Sequence, residues 1–412
     1  MTTHPPRLTV LGREFDGFHR SLTRQLAGLV DLEAGYELME ISDLQALVLD
    51  GDGATSGDYD VLMVVTDWLP SLIESGNVQP IEEAFAGTTP DGWPTAWVPA
   101  LREMQQDAEG NSYGVAYHDG PMLFLYRRDL YEDEQERRDF RARFGYPLLP
   151  PDTWEQYLDQ ARFFDRPERG TRGTVLAGFP DEHNNVYDFL TQLWSRGGEL
   201  ISEDGTSGLA SEAAREAVGF LHDLWHVDKV VDPAAVGWDS VQSGIHFAAG
   251  EGAMMVNWCG FAALSSPEDS PTHGLIGCAP TPGASGATGS RVTMNAYWVL
   301  AIPTGAKDPA RSAELIRQLS THEMDVITAQ SGGSATRLDS WADPRVTALA
   351  PYYGVLEAAH TSSRSVPVDP RWPAMAAILN DMMTQVIEHA AGPGALVEAH
   401  DRLTDLLSGT AG

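Results

Sequence analysis

Val61-Leu62-Met63-Val64-Val65 restricts the fold of this chain more than any other stretch: it is an apolar run with no polar interruption. A strand covered on one face alternates apolar and polar residues. An unbroken run needs cover on both faces, the situation of a parallel strand flanked by helices. Short apolar runs alternate along the chain with amphipathic helical patterns, which reads as successive βαβ units in mainly parallel sheets. The first run, Leu8-Thr9-Val10-Leu11, ends at Gly12, and a helical stretch follows from about 17 to 32.

Several helices announce their starts. Thr153-Trp154-Glu155-Gln156 fits a capping box, and Trp154, Tyr157, Leu158 and Ala161 mark one face. Ser211 precedes a stripe of Ala214, Ala217, Val218, Leu221, Leu224 and Trp225 at helical spacing. Asp308-Pro309 places a capping residue before a first-turn proline, and that helix is expected to reach about Leu319.

A chain of 412 residues exceeds one ordinary core, so at least two domains are expected. Pro/Gly-rich punctuation at 144–151, 280–289 and 392–394 is too short for a flexible linker, which fits lobes joined by brief crossovers. The formal net charge of -32 repels phosphate backbones and anionic headgroups, so nucleic acid and membrane surfaces are not expected partners. Cys259 and Cys278 cannot make a disulfide scaffold; one bridge or two free thiols are the alternatives. Neither has a metal-site neighbourhood, and no metal or organic cofactor is expected. No apolar stretch approaches the roughly 20 residues of a membrane span. Met1–Pro6 carry no charged n-region, apolar h-region or lipobox cysteine. The two expectations are a leader already removed or a cytoplasmic protein.

No G-x-S-x-G elbow, P-loop or H-E-x-x-H appears, and Gly51-Asp52-Gly53 lacks the flanks of a dinucleotide fingerprint. With 59 acidic residues a close carboxylate pair is inevitable, so glycoside hydrolysis stays open as an alternative.

The order of segments resembles the family 1 extracellular solute-binding proteins, the maltose-binding-protein-like subunits of carbohydrate ABC importers. Asp60–Val64 with Asp67, Gly76 and Pro80-Ile81 is similar to the family's strand, ligand loop and helix exit. Gly110-Asn111-Ser112-Tyr113-Gly114-Val115-Ala116, Leu125-Tyr126-Arg127-Arg128-Asp129-Leu130, Pro151-Asp152-Thr153-Trp154-Glu155 and Phe247–Met255 ending at Trp258 resemble further family motifs in family order. So does Trp298–Pro303 with the helix after it. The resemblance spans roughly residues 7 to 407. It implies an α/β Venus-flytrap fold of two lobes with three crossovers, near 115–118, 273–278 and 319–323. One lobe would be 1–115 plus 276–320 and the other 116–275 plus 321–412. The ligand would be a carbohydrate, buried between the lobes by hinge closure and passed to permease subunits by a monomeric protein that catalyses nothing and works outside the cytoplasm. A leaderless cytoplasmic sensor or carrier of the same fold is the runner-up.

Sugars need charge-assisted partners for their hydroxyls and an aromatic platform for their apolar ring faces. Open α/β sheets present such groups at the carboxyl ends of strands. Glu14, Phe15 and Asp16 follow the first run, Glu14 the better ligand and Asp16 the better helix cap. Asp67 and Trp68 follow the 61–65 run; the matching family position carries a ligand carboxylate, and the alternative for Asp67 is a cap. Tyr117, His118 and Asp119 fall at the first crossover. Asn184 or Asn185 precedes or caps the helix of Trp194; the family places an amide or aromatic contact here, and Asn185 is the residue taken. Trp258 follows the run 253–256, where the resemblance implies a tryptophan stacked on sugar. Asn295 and Tyr297 precede the strand 298–302. Arg337 follows the Ser331-Gly332-Gly333-Ser334 turn as a clamp for hydroxyls or for a carboxylate or sulfonate, against a plain salt bridge. Trp372 sits where the family sometimes supplies a second aromatic platform.

Overall fold

The computed structural model describes residues 7–409; Met1–Pro6, with the leader question attached to them, lie outside the described residues. Among the described residues ten strands follow one another as β1 Leu8–Arg13, β2 Ala34–Met39, β3 Val61–Val65, β4 Val115–His118, β5 Met122–Arg127, β6 Met254–Trp258, β7 Ile276–Ala279, β8 Thr293–Met294, β9 Trp298–Ala301 and β10 Ser363–Arg364. The chain divides into two compact units. The first holds the chain up to Gly120, then Asn295–His360 and Ser365–Trp372; the second holds Pro121–Met294, Thr361–Arg364 and the chain from Pro373.

In the first unit the strands run β2-β1-β3-β9-β4. β1 is parallel to both β2 and β3, and β9 lies antiparallel between β3 and β4. Every residue of Val61–Val65 is buried, as an unbroken apolar run requires. The helix after β1 is Asp16–Leu26, shorter than its pattern suggested. Gly28 closes a turn by donating to the Gln25 carbonyl, and Asp31 at φ 56 redirects the chain. Because the helix begins at Asp16 itself, that carboxylate is not its cap; it pairs with Arg20 at 3.6 Å one turn on.

The segment 321–360 stays with the first unit because the helix His322–Gln330 packs against Asp16–Leu26. Gln25 Nε2 donates to the Met324 carbonyl at 2.8 Å and to Thr328 Oγ1 at 2.9 Å, and Arg20 Nε donates to the Ser331 carbonyl at 2.9 Å. Residues 276–294 remain with the second unit because β7 completes its sheet.

That second sheet, β6-β5-β7, is antiparallel throughout, against the expectation of mainly parallel strands. A short turn at 250–252 sets the start of β6 beside the end of β5, where Arg127 N–H donates to the Ala253 carbonyl. The chain reaches that point through a long helical connection, from Arg128 to Ala248, and β6 enters antiparallel to β5. The helix Glu212–His222 is capped by Ser211, whose hydroxyl accepts from Ala214 N–H. Its stripe, extended to Leu224 and Trp225 through a π-turn, is buried. Thr153 caps Trp154–Phe164, and Asp308 caps Pro309–Leu319. Cys259 and Cys278 are not joined in a disulfide. Among the described residues no helix is long and apolar enough to cross a membrane.

Candidate functional site

Each unit gathers polar and aromatic side chains at one edge of its sheet.

In the first unit, β1, β3 and β4 end at the edge where β9 begins. Trp298 opens β9, paired with Val65 on one side and His118 on the other. Its ring meets Phe18 at 5.6 Å and Trp68 at 6.2 Å, both edge-on, and the Arg13 guanidinium stands 5.9 Å from its centroid. Phe18 also meets Phe15 at 5.2 Å and His118 at 5.1 Å. Edge-to-face packing of this kind fixes ring orientation.

His118 has a defined proton. Its Nδ1 accepts the Ser334 N–H at 2.8 Å, so the neutral ring carries hydrogen on Nε2 and presents a donor there. Burial, with the Arg13 charge adding to it, pushes the imidazole down to about 3. Glu14 is exposed, and its N–H extends the pairing to the Met39 carbonyl at 2.6 Å. Phe15 is half-buried.

Other expected members of this group are committed to the interior. Tyr117 is buried, edge-on to Phe18 at 5.9 Å, with its hydroxyl on Ser21 Oγ at 2.7 Å and Gln25 Oε1 at 2.8 Å. Asp119 is fully buried; Oδ2 accepts from His360 Nε2 at 2.9 Å and Oδ1 from Gly120 N–H at 3.0 Å. Asp67, Trp68 and Tyr297 are buried, and Thr66 and Tyr297 exchange bonds through the Thr66 N–H and hydroxyl. Asn295 is fully buried, and among the described residues neither atom of its amide has a hydrogen-bond partner.

Arg337 lies inside the first unit. Only 2 % exposed, it holds Asp339 at 2.8 Å and donates to the Asp91 and Ser320 carbonyls, with its guanidinium 4.9 Å over Trp97. These contacts make it an internal ion pair with carbonyl partners. The residue that follows the Gly-rich turn does not reach the strand-end group; the turn itself does, through Ser334 N–H. Trp372 is likewise buried at 3 %, as the first residue of the helix Trp372–Glu388.

In the second unit, Trp258 ends β6 half-buried. Its indole N–H donates to Asn184 Oδ1 at 3.3 Å, and Tyr187 abuts it edge-on at 5.5 Å and 80°. Asn257 Oδ1 accepts the Trp258 N–H at 2.8 Å, while its Nδ2 donates to Ser243 Oγ at 2.9 Å. The indole is thus held by its edge and by its backbone. Asn184 and Asn185 open the helix Asn184–Ser195 and do not cap it, since the capping position is His183. Asn185 is buried, donating from Nδ2 to Asn380 Oδ1 at 3.0 Å.

Sequence reasoning missed Trp298 and Arg13 in the first unit and Asn257 in the second. The usable signals were a charged residue ending a buried strand and an asparagine interrupting the apolar run before Trp258. Trp298 gave no such signal, because a tryptophan opening an apolar strand reads as core. Among the described residues no group of three or more His, Cys, Asp or Glu is placed to hold a metal ion.

The model of the bacterial extracellular solute-binding protein family matches residues 38–324. A probable ABC transporter-binding protein of Deinococcus radiodurans is 26 % identical over 321 residues, covering 76 % of this chain and 71 % of that one. The maltose-bound MalE3 of T. maritima superposes with a TM-score of 0.81 at 21 % identity, over 98 % of this chain and 99 % of the other. A solute-binding protein of Agrobacterium radiobacter in complex with ribitol gives 0.82 at 21 % identity, over 97 % and 98 %. The fold is that of these proteins, and since the family model spans more than half of the sequence, the chain belongs to the bacterial extracellular solute-binding proteins.

Proposed function

We propose that this chain binds a sugar or polyol, without turning it over, and delivers it to the permease subunits of an ABC importer. The observation that carries the reading is Trp258: half-buried, at a strand's carboxyl end, its indole N–H on Asn184 and its edge against Tyr187. An aromatic ring held this way is ordered before ligand arrives, so stacking on a sugar's apolar face costs little rotamer entropy. In the first unit the His118 Nε2–H, the Glu14 carboxylate and the Arg13 guanidinium supply donors and an acceptor for hydroxyls. Similar structures carry maltose, ribitol, tagatose and mannitol, which supports this ligand class. Action outside the cytoplasm, as a monomer with no cofactor, belongs to the same proposal.

A thermal-shift screen across maltose, ribitol, tagatose and mannitol tests it, since a ligand at 100 times its Kd adds about 2.7 kcal/mol of stability. Trp258→Ala is expected to raise the Kd of the best binder roughly 5- to 150-fold, the loss of one stacking platform worth about 1–3 kcal/mol. Unchanged affinity in Trp258→Ala, or consumption of the sugar during incubation, counts against the reading.

A further inference from the structure

Among the described residues, the non-glycine positions at positive φ are Asp31, Ala86, Glu182, Lys229 and Ala390. Glu182, at φ 63, stands two residues before Asn184, which receives the Trp258 indole N–H. A side-chain-bearing residue keeps the left-handed conformation only where its surroundings impose it.

Here the imposing group is identifiable. Asn380 lies on the helix Trp372–Glu388, far along the chain, and its Oδ1 accepts two hydrogens. One comes from the Glu182 backbone N–H at 3.2 Å and the other from Asn185 Nδ2 at 3.0 Å. The turn is closed on its other side by Asp181, whose Oδ1 accepts the His183 N–H at 3.0 Å. Asn380 therefore grips the chain on both sides of Asn184, at residues 182 and 185. The His183 ring continues the arrangement, meeting Tyr187 edge-on at 5.9 Å.

We propose that Asn380 is a positioning residue for the binding platform: it holds Glu182 left-handed so that Asn184 meets the Trp258 indole. The binding part of this proposal rests on the sugar-binding reading above. The positioning part does not, because the indole N–H reports on it without any ligand.

The test uses the full chain labelled with 15N-tryptophan, with the Trp258 indole signal assigned by its loss in Trp258→Phe. In Asn380→Ala the Trp258 indole N–H is expected to exchange with solvent about tenfold faster, and the Kd for the best of maltose, ribitol, tagatose and mannitol to rise about 5- to 10-fold, as loss of a shared acceptor allows. Asn380→Asp keeps an oxygen acceptor for both hydrogens and restores both readouts. Adding Glu182→Gly to Asn380→Ala also restores them, because glycine adopts positive φ without help. A general packing defect at position 380 would not be repaired by a glycine at 182. An unaltered indole exchange rate in Asn380→Ala overturns the proposal, and so does a loss that neither Asp nor the added glycine repairs. If Trp258→Ala leaves Kd unchanged, the sugar-binding reading fails, while the indole exchange still decides the role of Asn380.

Discussion

Asp188 follows Tyr187 on the helix Asn184–Ser195, beside a small cavity lined by Trp154, Tyr157, Thr191, Phe220 and Leu224. Burial among these side chains disfavours the ionised form and pushes the carboxyl up to about 8. The unfolded chain loses this proton near pH 4. Between those values the unfolded state binds fewer protons than the folded one, so this group's contribution to stability falls as pH rises. His118 has the opposite slope. Held neutral down to about pH 3, it stabilises fully above the unfolded value near 6.5 and loses that contribution as pH falls. Denaturant midpoints measured from pH 5 to 8 should therefore drop more with rising pH in the parent than in Asp188→Asn. Parallel curves for the two proteins would mean that the carboxyl is ionised throughout. Neither group's titration was legible in the sequence, since Asp188 is one of 59 acidic residues and only the packing around it sets it apart.

At the scale of elements, the stripe through Ala217, Leu221 and Trp225 shows what periodicity reveals. Helical spacing placed Trp225 inside a lobe, and it is 9 % exposed. Trp225→Ala should cost about 3–5 kcal/mol of folding stability as a large-to-small change, while the folded fraction keeps its affinity. Denaturant melts and titrations on one preparation check both halves, and a stable protein with lost affinity would reverse the assignment. Caps were equally legible, because Ser211, Thr153 and Asp308 act within three residues of where they stand. Partners from distant segments were not. Asp119 reads as a residue of the first crossover with no visible partner until His360 arrives 241 positions later, and the acceptors of Arg337, the Asp91 and Ser320 carbonyls, lie outside any local pattern. Strand direction in the second sheet depends on where β6 enters, which no local pattern records.

On the scale of the whole molecule, the family resemblance implies that ligand is taken up by hinge closure. Small-angle scattering with a saturating binder from the sugar panel should then give a smaller radius of gyration than without it. An unchanged radius, with binding proven by calorimetry, would argue against closure on uptake. The length of the sequence calls for more than one body, and the chain divides into two compact units. The boundary motifs near 319–323 mark the end of one helix, and the chain stays in the first unit because the next helix docks on Asp16–Leu26.

The position of β9 sets a timetable for synthesis. Its residues, 298–301, lie between β3 and β4 in the sheet, though both of those strands are made more than 175 positions earlier. As the chain leaves the ribosome, β3 and β4 have no strand to join them until nearly three quarters of the protein exists. The second unit's β5, β6 and β7 are complete before that point. Folding of the first unit is thus a late event with a long loop to close, and the nascent chain spends most of its synthesis with the apolar Val61–Val65 edge unpaired, a stretch that holdase chaperones are suited to cover.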